Sequence, residues 1–199
     1  MIAIIDYGAG NLLSVKKAFD YLNAESKVIS SAEQFNGFNR VVLPGVGAFG
    51  AAMKKLQEKG FDYLLRRWLN DDRPFLGICL GVQLLMETSE ESRNVSGLCK
   101  FNGSCLPFVK GKVPQIGWNQ IQIQKTVPLL QGIKNNSFFY FLHGYYVSPV
   151  DYSIVTATTD YGLEYPSIIS HGNIYAVQFH PEKSGNLGLK LLRNWIELC

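Results

Sequence analysis

The stretch that decides the fold is Phe75-Leu76-Gly77-Ile78-Cys79-Leu80-Gly81-Val82-Gln83. Its first residues form an apolar run typical of a buried strand, and residues Leu80 to Glu87 have the spacing of a helix. The centre reads Gly-x-Cys-x-Gly, the pattern of a sharp strand-to-helix turn that lifts a nucleophile out of a sheet. A helix that starts at Cys79 favours its thiolate, and the Leu80 N–H can bind an oxyanion. The alternative is a buried, unreactive cysteine.

A thiol nucleophile needs a base that a third group holds in place, and the chain contains three histidines. His180 follows an apolar strand and precedes Pro181, so its backbone is expected to be extended. Residues two apart in extended chain face the same side, which brings Glu182 to the imidazole. His143 ends an aromatic strand and either is satisfied there or lines a pocket, whereas His171 belongs to a turn. Cys79, His180 and Glu182 are therefore the predicted catalytic triad.

The pattern along the chain predicts an α/β fold. In the first half, apolar strands alternate with amphipathic helices, and Asn11 is a suitable N-cap for the first helix. In the second half, strands follow one another without long helices, up to a C-terminal helix. We expect one domain over residues 1–199, with a mostly parallel, doubly wound sheet, flanking helices and an added antiparallel portion. The segment Ser89 to Ser92 is expected to be a solvated loop.

Composition excludes several classes of protein. The 199 residues carry a net charge of +3, far below the charge of a dedicated nucleic-acid binder. No apolar run is long enough to span a membrane, and the N-terminus does not resemble a signal peptide. The four cysteines form no CxxC pair, so we expect a reduced, cytoplasmic protein that holds no metal. Three of them are expected to be free structural thiols: Cys99, Cys105 and Cys199.

Together these residues resemble the class I (triad) glutamine amidotransferases, and within that class the glutaminase subunits of imidazole glycerol phosphate synthases. The similarity covers nearly the whole chain. Val82 and Gly144 are small departures from the common pattern. Besides the Cys79 turn, the similarity rests on Asp6 to Asn11, Leu43 to Phe49, Ile116 to Asn119, Tyr140 to Tyr145 and Gln178 to Gly185.

The resemblance implies that Cys79 attacks the carboxamide of glutamine and releases ammonia and glutamate without a cofactor. It implies that the Val46 N–H joins the Leu80 N–H in an oxyanion hole once the loop is correctly turned. The residues that would hold the glutamine are Gly47, Gln83, His143, Gly144 and Tyr145.

The resemblance also implies a protein partner, a (β/α)8-barrel cyclase subunit that receives the ammonia and acts in histidine biosynthesis. For Trp118 and Tyr140, ordinary core packing is an equal alternative to a place in the interface. The residues expected at the docking face are Asn11, Trp118, Asn119, Tyr140 and Lys183.

Other functions remain open at this point. A paralogous glutaminase subunit could supply ammonia to a sugar-amidinating enzyme with the same chemistry. A non-catalytic binding subunit could share the fold, although intact Cys79, His180 and Glu182 argue against it. A peptidase of a related cysteine-elbow fold is a further alternative, and the residues after Cys79 fit glutamine better.

Overall fold

The computed structural model describes residues 1–199, and its secondary structure alternates strands and helices in the first half of the chain. The five α-helices are α1 (Leu12–Tyr21), α2 (Phe49–Glu58), α3 (Phe61–Asn70), α4 (Leu80–Gln83) and α5 (Gly185–Leu198). The strands are β1 (Ile2–Ile5), β2 (Ser26–Ile29), β3 (Arg40–Gly45), β4 (Phe75–Cys79), β5 (Met86–Ser89), β6 (Phe101–Pro107), β7 (Gln115–Gln120), β8 (Gln122–Ile123), β9 (Phe138–His143), β10 (Tyr145–Pro149), β11 (Val155–Asp160), β12 (Glu164–His171) and β13 (Ile174–Val177).

The main sheet contains eight strands in the order β2-β1-β3-β4-β13-β12-β11-β8. The strands from β2 to β13 in this order run parallel to one another, whereas β12, β11 and β8 are antiparallel to their neighbours. Two smaller sheets, β10-β6-β5 and β7-β9, lie outside the main sheet. This topology confirms the expected mostly parallel sheet with an added antiparallel portion.

Both faces of the inner parallel strands are buried, which explains their largely apolar sequences, whereas the edge strand β2 is partly exposed. Along β1, Ala3 and Ile5 belong to one core cluster, while Ile2 and Ile4 belong to the other. The first cluster contains the apolar faces of α2 and α3, and the second contains those of α1 and α5. The sheet is therefore covered by helices on both sides, as expected for a doubly wound fold.

Three neighbouring parallel strands end at the same edge of the sheet. The strand β3 ends at Gly45, β4 ends at Cys79, and β13 ends at Val177, three residues before His180. Gly45 and Cys79 are paired in register. This edge is where ligands bind in open α/β sheets, so the fold brings the predicted nucleophile and base together there.

The helix after Cys79 is shorter than the sequence pattern predicts. We expected it to extend from Leu80 to Glu87, but α4 ends at Gln83 and residues 86–89 form β5. The carbonyl groups of Leu84 and Leu85 accept hydrogen bonds from Leu98 and Lys100 at 2.7 and 2.9 Å. These hydrogen bonds to a distant segment replace the i to i+4 hydrogen bonds that would continue the helix. The sequence did not distinguish the two outcomes, because a short apolar run suits a buried strand as well as a helix.

The segment Ser89 to Ser92 is not the solvated loop that we expected. Ser89 is buried, Glu91 Oε2 accepts a hydrogen bond from the Phe49 N–H at 2.6 Å, and Ser92 Oγ accepts one from the Gly50 N–H at 3.2 Å. The residue before α2 is Ala48, whose side chain cannot cap a helix. Glu91 and Ser92 therefore cap α2 from a distant part of the chain.

Two features of the whole fold bear on function. The longest helix has 14 residues, and none combines the length and apolar character that a membrane span requires. Nor do three or more His, Cys, Asp or Glu side chains converge on a point that could hold a metal ion.

Gly81 sits where α4 approaches β3 most closely. A Cβ atom at this position would overlap the carbonyl oxygen of Leu43, which is backbone and cannot turn away. We predict that Gly81→Ala lowers the free energy of unfolding by at least about 1–3 kcal/mol, because overpacking forces the helix off the sheet. Urea denaturation followed by circular dichroism measures this change.

The matched control is Gly144→Ala, where the nearest atom to the new Cβ is 3.7 Å away. Its free energy of unfolding is expected to match that of the original chain. Equal stabilities for the Gly81 and Gly144 variants would contradict the packing argument.

Candidate active site

Cys79 occupies a strained backbone position at the end of β4. Its φ and ψ angles are 54° and −110°, and only four other non-glycine residues have positive φ. Such conformations persist where the surrounding structure enforces them, and they cluster at functional sites. Here β4 is paired on both sides, with β3 and with β13, and α4 begins at the next residue. The turn directs the side chain of Cys79 into a cavity.

His180 and Glu182 form a buried pair beside this turn. His180 is extended, at φ −103° and ψ 95°, and its Nδ1 lies 2.8 Å from Glu182 Oε1. Both side chains are at most 3% exposed. The backbone N–H of His180 donates to the Tyr140 carbonyl at 2.9 Å, which fixes the segment against β9. With Nδ1 committed to the carboxylate, Nε2 is the nitrogen left for proton transfer.

The surroundings of His180 favour its charged form. Burial by itself lowers the pKa of His180, but hydrogen bonds and charges from Cys79 and Glu182 outweigh burial and raise this pKa above its usual value. Nε2 has no hydrogen bond of standard geometry, although Cys79 is near enough to act on it. Catalytic hydrogen bonds of this kind are often loose in unliganded enzymes and tighten with substrate.

The helix after Cys79 contributes less to the thiolate than we expected from the sequence. With a single turn, α4 has few aligned peptide dipoles, so its positive end is weak. The sulfur of Cys79 instead contacts the carbonyl of Leu142 at 3.6 Å and the Nε2 of Gln178 at 4.0 Å. The polar groups closest to the sulfur are therefore His180, the Gln178 amide and the Leu142 carbonyl, and not a strong helix terminus.

A cavity of about 350 Å³ opens in front of Cys79. It contains every residue that the sequence placed in the oxyanion hole or at the substrate, namely Val46, Gly47, Leu80, Gln83, His143, Gly144 and Tyr145. The cavity is also lined by three residues that were not predicted from the sequence: Glu91, Pro114 and Leu142. The volume suits a single amino acid.

The sequence has many relatives of known family. A family model described as glutamine amidotransferase class-I matches residues 3–198. The chain is 46% identical over 202 residues to "Imidazole glycerol phosphate synthase subunit HisH 1" of Methanococcus maripaludis, with 100% of both chains covered. It is 45% identical over 199 residues to the HisH subunit of Caldanaerobacter subterraneus subsp. tengcongensis, covering 100% of this chain and 98% of the relative.

The chain belongs to the HisH family of class I glutamine amidotransferases. The family assignment made from the sequence motifs is confirmed. A solved structure described as glutamine amidotransferase superimposes with a TM-score of 0.79, covering 100% of this chain and 98% of that one. Its sequence identity is 18%, so this likeness shows the shared fold. HisH-family chains are enzymes that use glutamine.

Glu91 is the only acidic side chain that lines the cavity of this HisH-family chain. Its Oε2 accepts the Phe49 N–H, and Oε1 makes no hydrogen bond within the chain. The carboxylate therefore caps α2 and faces the cavity at the same time. Sequence reasoning missed it because nothing in the Ser89 to Ser92 pattern shows that this segment folds back onto α2.

His143 lines the cavity as a neutral, fixed ring. Burial lowers the pKa of His143 to about 4, even though a hydrogen bond to the Tyr145 carbonyl acts in the opposite direction. Nδ1 lies 2.8 Å from that carbonyl oxygen, so Nδ1 carries the proton. The Tyr165 hydroxyl, which donates its hydrogen to Gln115 Oε1 at 2.8 Å, lies 3.3 Å from Nε2, and Phe108 and Phe141 pack around the ring. His143 thus supports the cavity wall and is not a second base.

The loop after β3 has the features that an oxyanion donor requires. Val46 is 38% exposed at the cavity, and Gly47 adopts a φ of 98°, in the left-handed region. The Val46 N–H belongs to the peptide between Gly45 and Val46. With a glycine on each side of Val46, this peptide can turn its N–H toward a ligand at little cost. The Leu80 N–H, at the first position of α4, has no partner within its helix.

Three of the residues expected at a docking face lie on the ribbon formed by β7 and β9, namely Trp118, Asn119 and Tyr140. Trp118 is 56% exposed and meets the half-buried Tyr140 edge to face at 6.1 Å, so Trp118 does not belong to the core. The Lys183 ammonium lies 5.9 Å from the centre of the Tyr140 ring. The Asn119 amide donates to the Asp160 carbonyl, and Asn11 caps α1 as expected.

The neutral state of His143 makes stability depend on pH. The folded chain binds a proton at His143 only near pH 4, whereas an unfolded histidine binds one at about pH 6.5. Between these values the unfolded chain holds more protons, so acid favours unfolding. We predict that between about pH 7 and pH 5 the original chain loses about 2 kcal/mol more stability than His143→Gln does.

Urea titrations of both proteins at the two pH values measure this difference. His171→Gln is the control, because His171 is exposed at the end of β12 and its loss is not expected to change the slope. A His143→Gln variant with the same pH dependence as the original chain would contradict the neutral, buried state of His143.

Proposed function

We propose that this chain is the glutaminase subunit of an imidazole glycerol phosphate synthase and that Cys79 is its nucleophile. The observation that carries the proposal is the arrangement of Cys79, His180 and Glu182 at one edge of the sheet, beside a cavity that fits one amino acid. Full-length identity to HisH subunits supports the assignment of the reaction.

The reaction proceeds in two halves through a covalent intermediate. The Cys79 thiolate attacks the carboxamide carbon of glutamine, and the imidazolium of His180 gives its Nε2 proton to the departing nitrogen, which leaves as ammonia. A glutamyl thioester remains on Cys79. Neutral His180 then takes a proton from water, the resulting hydroxide attacks the thioester, and glutamate leaves with the thiolate restored. Glu182 holds the imidazole and stabilises its charge in both halves.

Two backbone groups would stabilise the negative oxygen of each tetrahedral intermediate. The Leu80 N–H lies next to the attacking sulfur, and the Val46 N–H reaches the same point after its peptide turns. The Val46 N–H belongs to the peptide between Gly45 and Val46, so Gly45 allows that turn, and Gly47, at its φ of 98°, lets the following chain adjust. Glutamine itself would be held by the cavity residues Gly47, Gln83, His143, Gly144 and Tyr145.

Glu91 would bind the α-ammonium group of glutamine. It is the only acidic side chain among the residues around the cavity, and its Oε1 makes no hydrogen bond within the chain. A carboxylate in the same cavity as the nucleophile favours a free amino acid over a peptide-bound glutamine, whose nitrogen is uncharged. Selectivity for a free amino acid separates this site from that of a peptidase.

The ammonia would pass to a cyclase subunit docked on the ribbon of β7 and β9. Ile116, Trp118 and Phe138 are each at least 50% exposed, and their side chains lie on the outer face of this ribbon together with Tyr140. An exposed group of large apolar side chains is typical of a protein interface. Lys183, whose ammonium lies 5.9 Å from the centre of the Tyr140 ring, would contribute a polar contact at its edge, and the resemblance adds Asn11 to this face.

The nucleophile is tested by Cys79→Ala. We predict at least about a 1000-fold loss of glutamine hydrolysis, because no other group in the cavity can form the thioester. Ammonium salts should still support synthesis of imidazole glycerol phosphate when the cyclase subunit is added. Coupled assays of glutamate release and of product formation measure the two activities.

Cys99→Ala is the control, since Cys99 is an exposed, free thiol outside the cavity. If Cys79→Ala retained glutamine hydrolysis, the nucleophile would be misassigned. If the original chain were not stimulated by an authentic cyclase subunit, the pathway would be wrong.

The role of Glu91 is tested by Glu91→Gln, which keeps an oxygen for the Phe49 N–H and removes the charge. We predict a rise of about 10- to 100-fold in KM for glutamine with a smaller change in kcat, because a charged hydrogen bond to the substrate is lost. Steady-state kinetics measure both constants.

Glu90→Gln removes the same charge from the neighbouring exposed residue, which does not line the cavity. Its KM is expected to equal that of the original chain. Equal increases in the two variants would show a general effect of charge and would exclude specific binding of the ammonium by Glu91.

A further inference from the structure

The side chain of Gln178 lies beside the nucleophile and has no part in the mechanism described so far. It is completely buried, it follows β13 directly, and its Nε2 is 4.0 Å from the sulfur of Cys79. Its Oε1 lies 3.4 Å from the Nε2 of Gln83, which is also buried. Two amide side chains therefore connect the cavity wall with the sulfur.

The backbone determines which end of the Gln178 amide faces the sulfur. The Tyr145 carbonyl can only accept a hydrogen bond, so the group that meets it at 3.0 Å must be the NH2 of Gln83. The second hydrogen of this NH2 points to Gln178, which must present its oxygen there. The NH2 of Gln178 is consequently turned to Cys79. The opposite orientation would place two NH2 groups against each other and an oxygen against the sulfur.

The neutral thiol and the thiolate use different partners in this environment. The neutral thiol donates its hydrogen to the Leu142 carbonyl, at 3.6 Å. A thiolate has no hydrogen to donate and is repelled by that carbonyl oxygen. It needs donors, and the groups that supply them are the Gln178 amide and the His180 imidazolium.

We propose that Gln178 is a positioning residue that donates a hydrogen bond to the thiolate of Cys79, with Gln83 holding its amide in the donating orientation. The proposal rests on Cys79 being the nucleophile. The bond would favour ionisation of the thiol and hold the sulfur in line for attack while His180 moves its proton to the leaving nitrogen. The Gln178 amide keeps its hydrogens throughout the reaction, so it continues to stabilise the sulfur after the His180 imidazolium has given its proton away.

Other titratable groups also face Cys79, and they stay unchanged in the test. His180 with its partner Glu182 lies on one side, and the buried phenol of Tyr7 lies after β1. Glu91, Tyr145 and the neutral imidazole of His143 lie around the cavity. The Gln178 side chain makes no hydrogen bond to any of them. A change in the reactivity of Cys79 in a Gln178 variant therefore reports the lost donor.

The test is the pH profile of Cys79 alkylation by iodoacetamide in Gln178→Met, which keeps the length of the side chain and removes the donor. Mass spectrometry of the Cys79 peptide separates its reaction from that of the other three thiols. We expect the midpoint of the profile to move upward by about one pH unit, the effect of one hydrogen bond to a charged group. Gln178→Glu should move it further, because a carboxylate opposes the thiolate.

The matched control is Gln115→Met, the same substitution at a buried glutamine that contacts Tyr165 and not Cys79. Its midpoint is expected to equal that of the original chain. Midpoints for Gln178→Met and Gln178→Glu that also equal the original would overturn the proposal. If Gln178→Met does not fold, Gln83→Met provides the second variant, since it removes the donor that orients Gln178 and should shift the midpoint in the same direction.

Glutaminase activity separates positioning from a merely structural role. With the donor lost, kcat of Gln178→Met should fall at neutral pH and recover toward the original value above the new midpoint. An equal loss at every pH would contradict the proposal. Alkylation of Cys79 in the original chain without loss of glutaminase activity would instead refute the proposed function, so the two failures are distinguishable.

Discussion

The structure depends on the sharp turn at Cys79, where a central strand passes directly into a helix. The two glycines of the Gly-x-Cys-x-Gly motif allow this turn by close contact: a Cβ atom on Gly77 would press against the Gly81 carbonyl, and one on Gly81 would overlap that of Leu43. Pairing of β4 with strands on both sides holds the backbone at a φ of 54°. The position of the sulfur, the direction of the Leu80 N–H and the shape of the cavity all follow from this one constraint.

His143 and His180 are both buried, but their neighbours favour different charge states of the imidazole. His143 meets aromatic rings and a neutral carbonyl, so burial dominates and its pKa falls to about 4. His180 is buried as well, but its partners are a carboxylate and a thiol that can ionise, so its pKa rises. The pKa values of the two histidines therefore shift in opposite directions. This difference is typical of a supporting residue, His143, and an acid–base group, His180.

Much of this arrangement could be predicted from the residues, because local chemistry determines it. The Gly-x-Cys-x-Gly turn, the extended His180 before Pro181 and the alternation of strands and helices follow from backbone preferences within a few residues. The length of α4 could not be predicted in this way, since Leu84 and Leu85 bond to a segment more than ten residues away. The position of Glu91 at the cavity could not be predicted for the same reason, because it depends on a contact with the distant helix α2. The exposure of Trp118 could not be predicted either, because Trp118 pairs with Tyr140 on β9, and both faces of β9 are apolar in sequence.

One edge of β9 holds both Cys79 and His180, the proposed nucleophile and base. The carbonyl of Tyr140 accepts the backbone N–H of His180, and the carbonyl of Leu142 accepts the thiol of Cys79. Carbonyls of alternate residues on a strand point the same way and are spaced about 6.6–6.8 Å apart by covalent geometry. The strand therefore fixes the distance between the carbonyl that binds the His180 backbone and the carbonyl that binds the Cys79 thiol. Side chains on its outer face can diversify without altering that length, whereas the insertion or deletion of a single residue in β9 would change it.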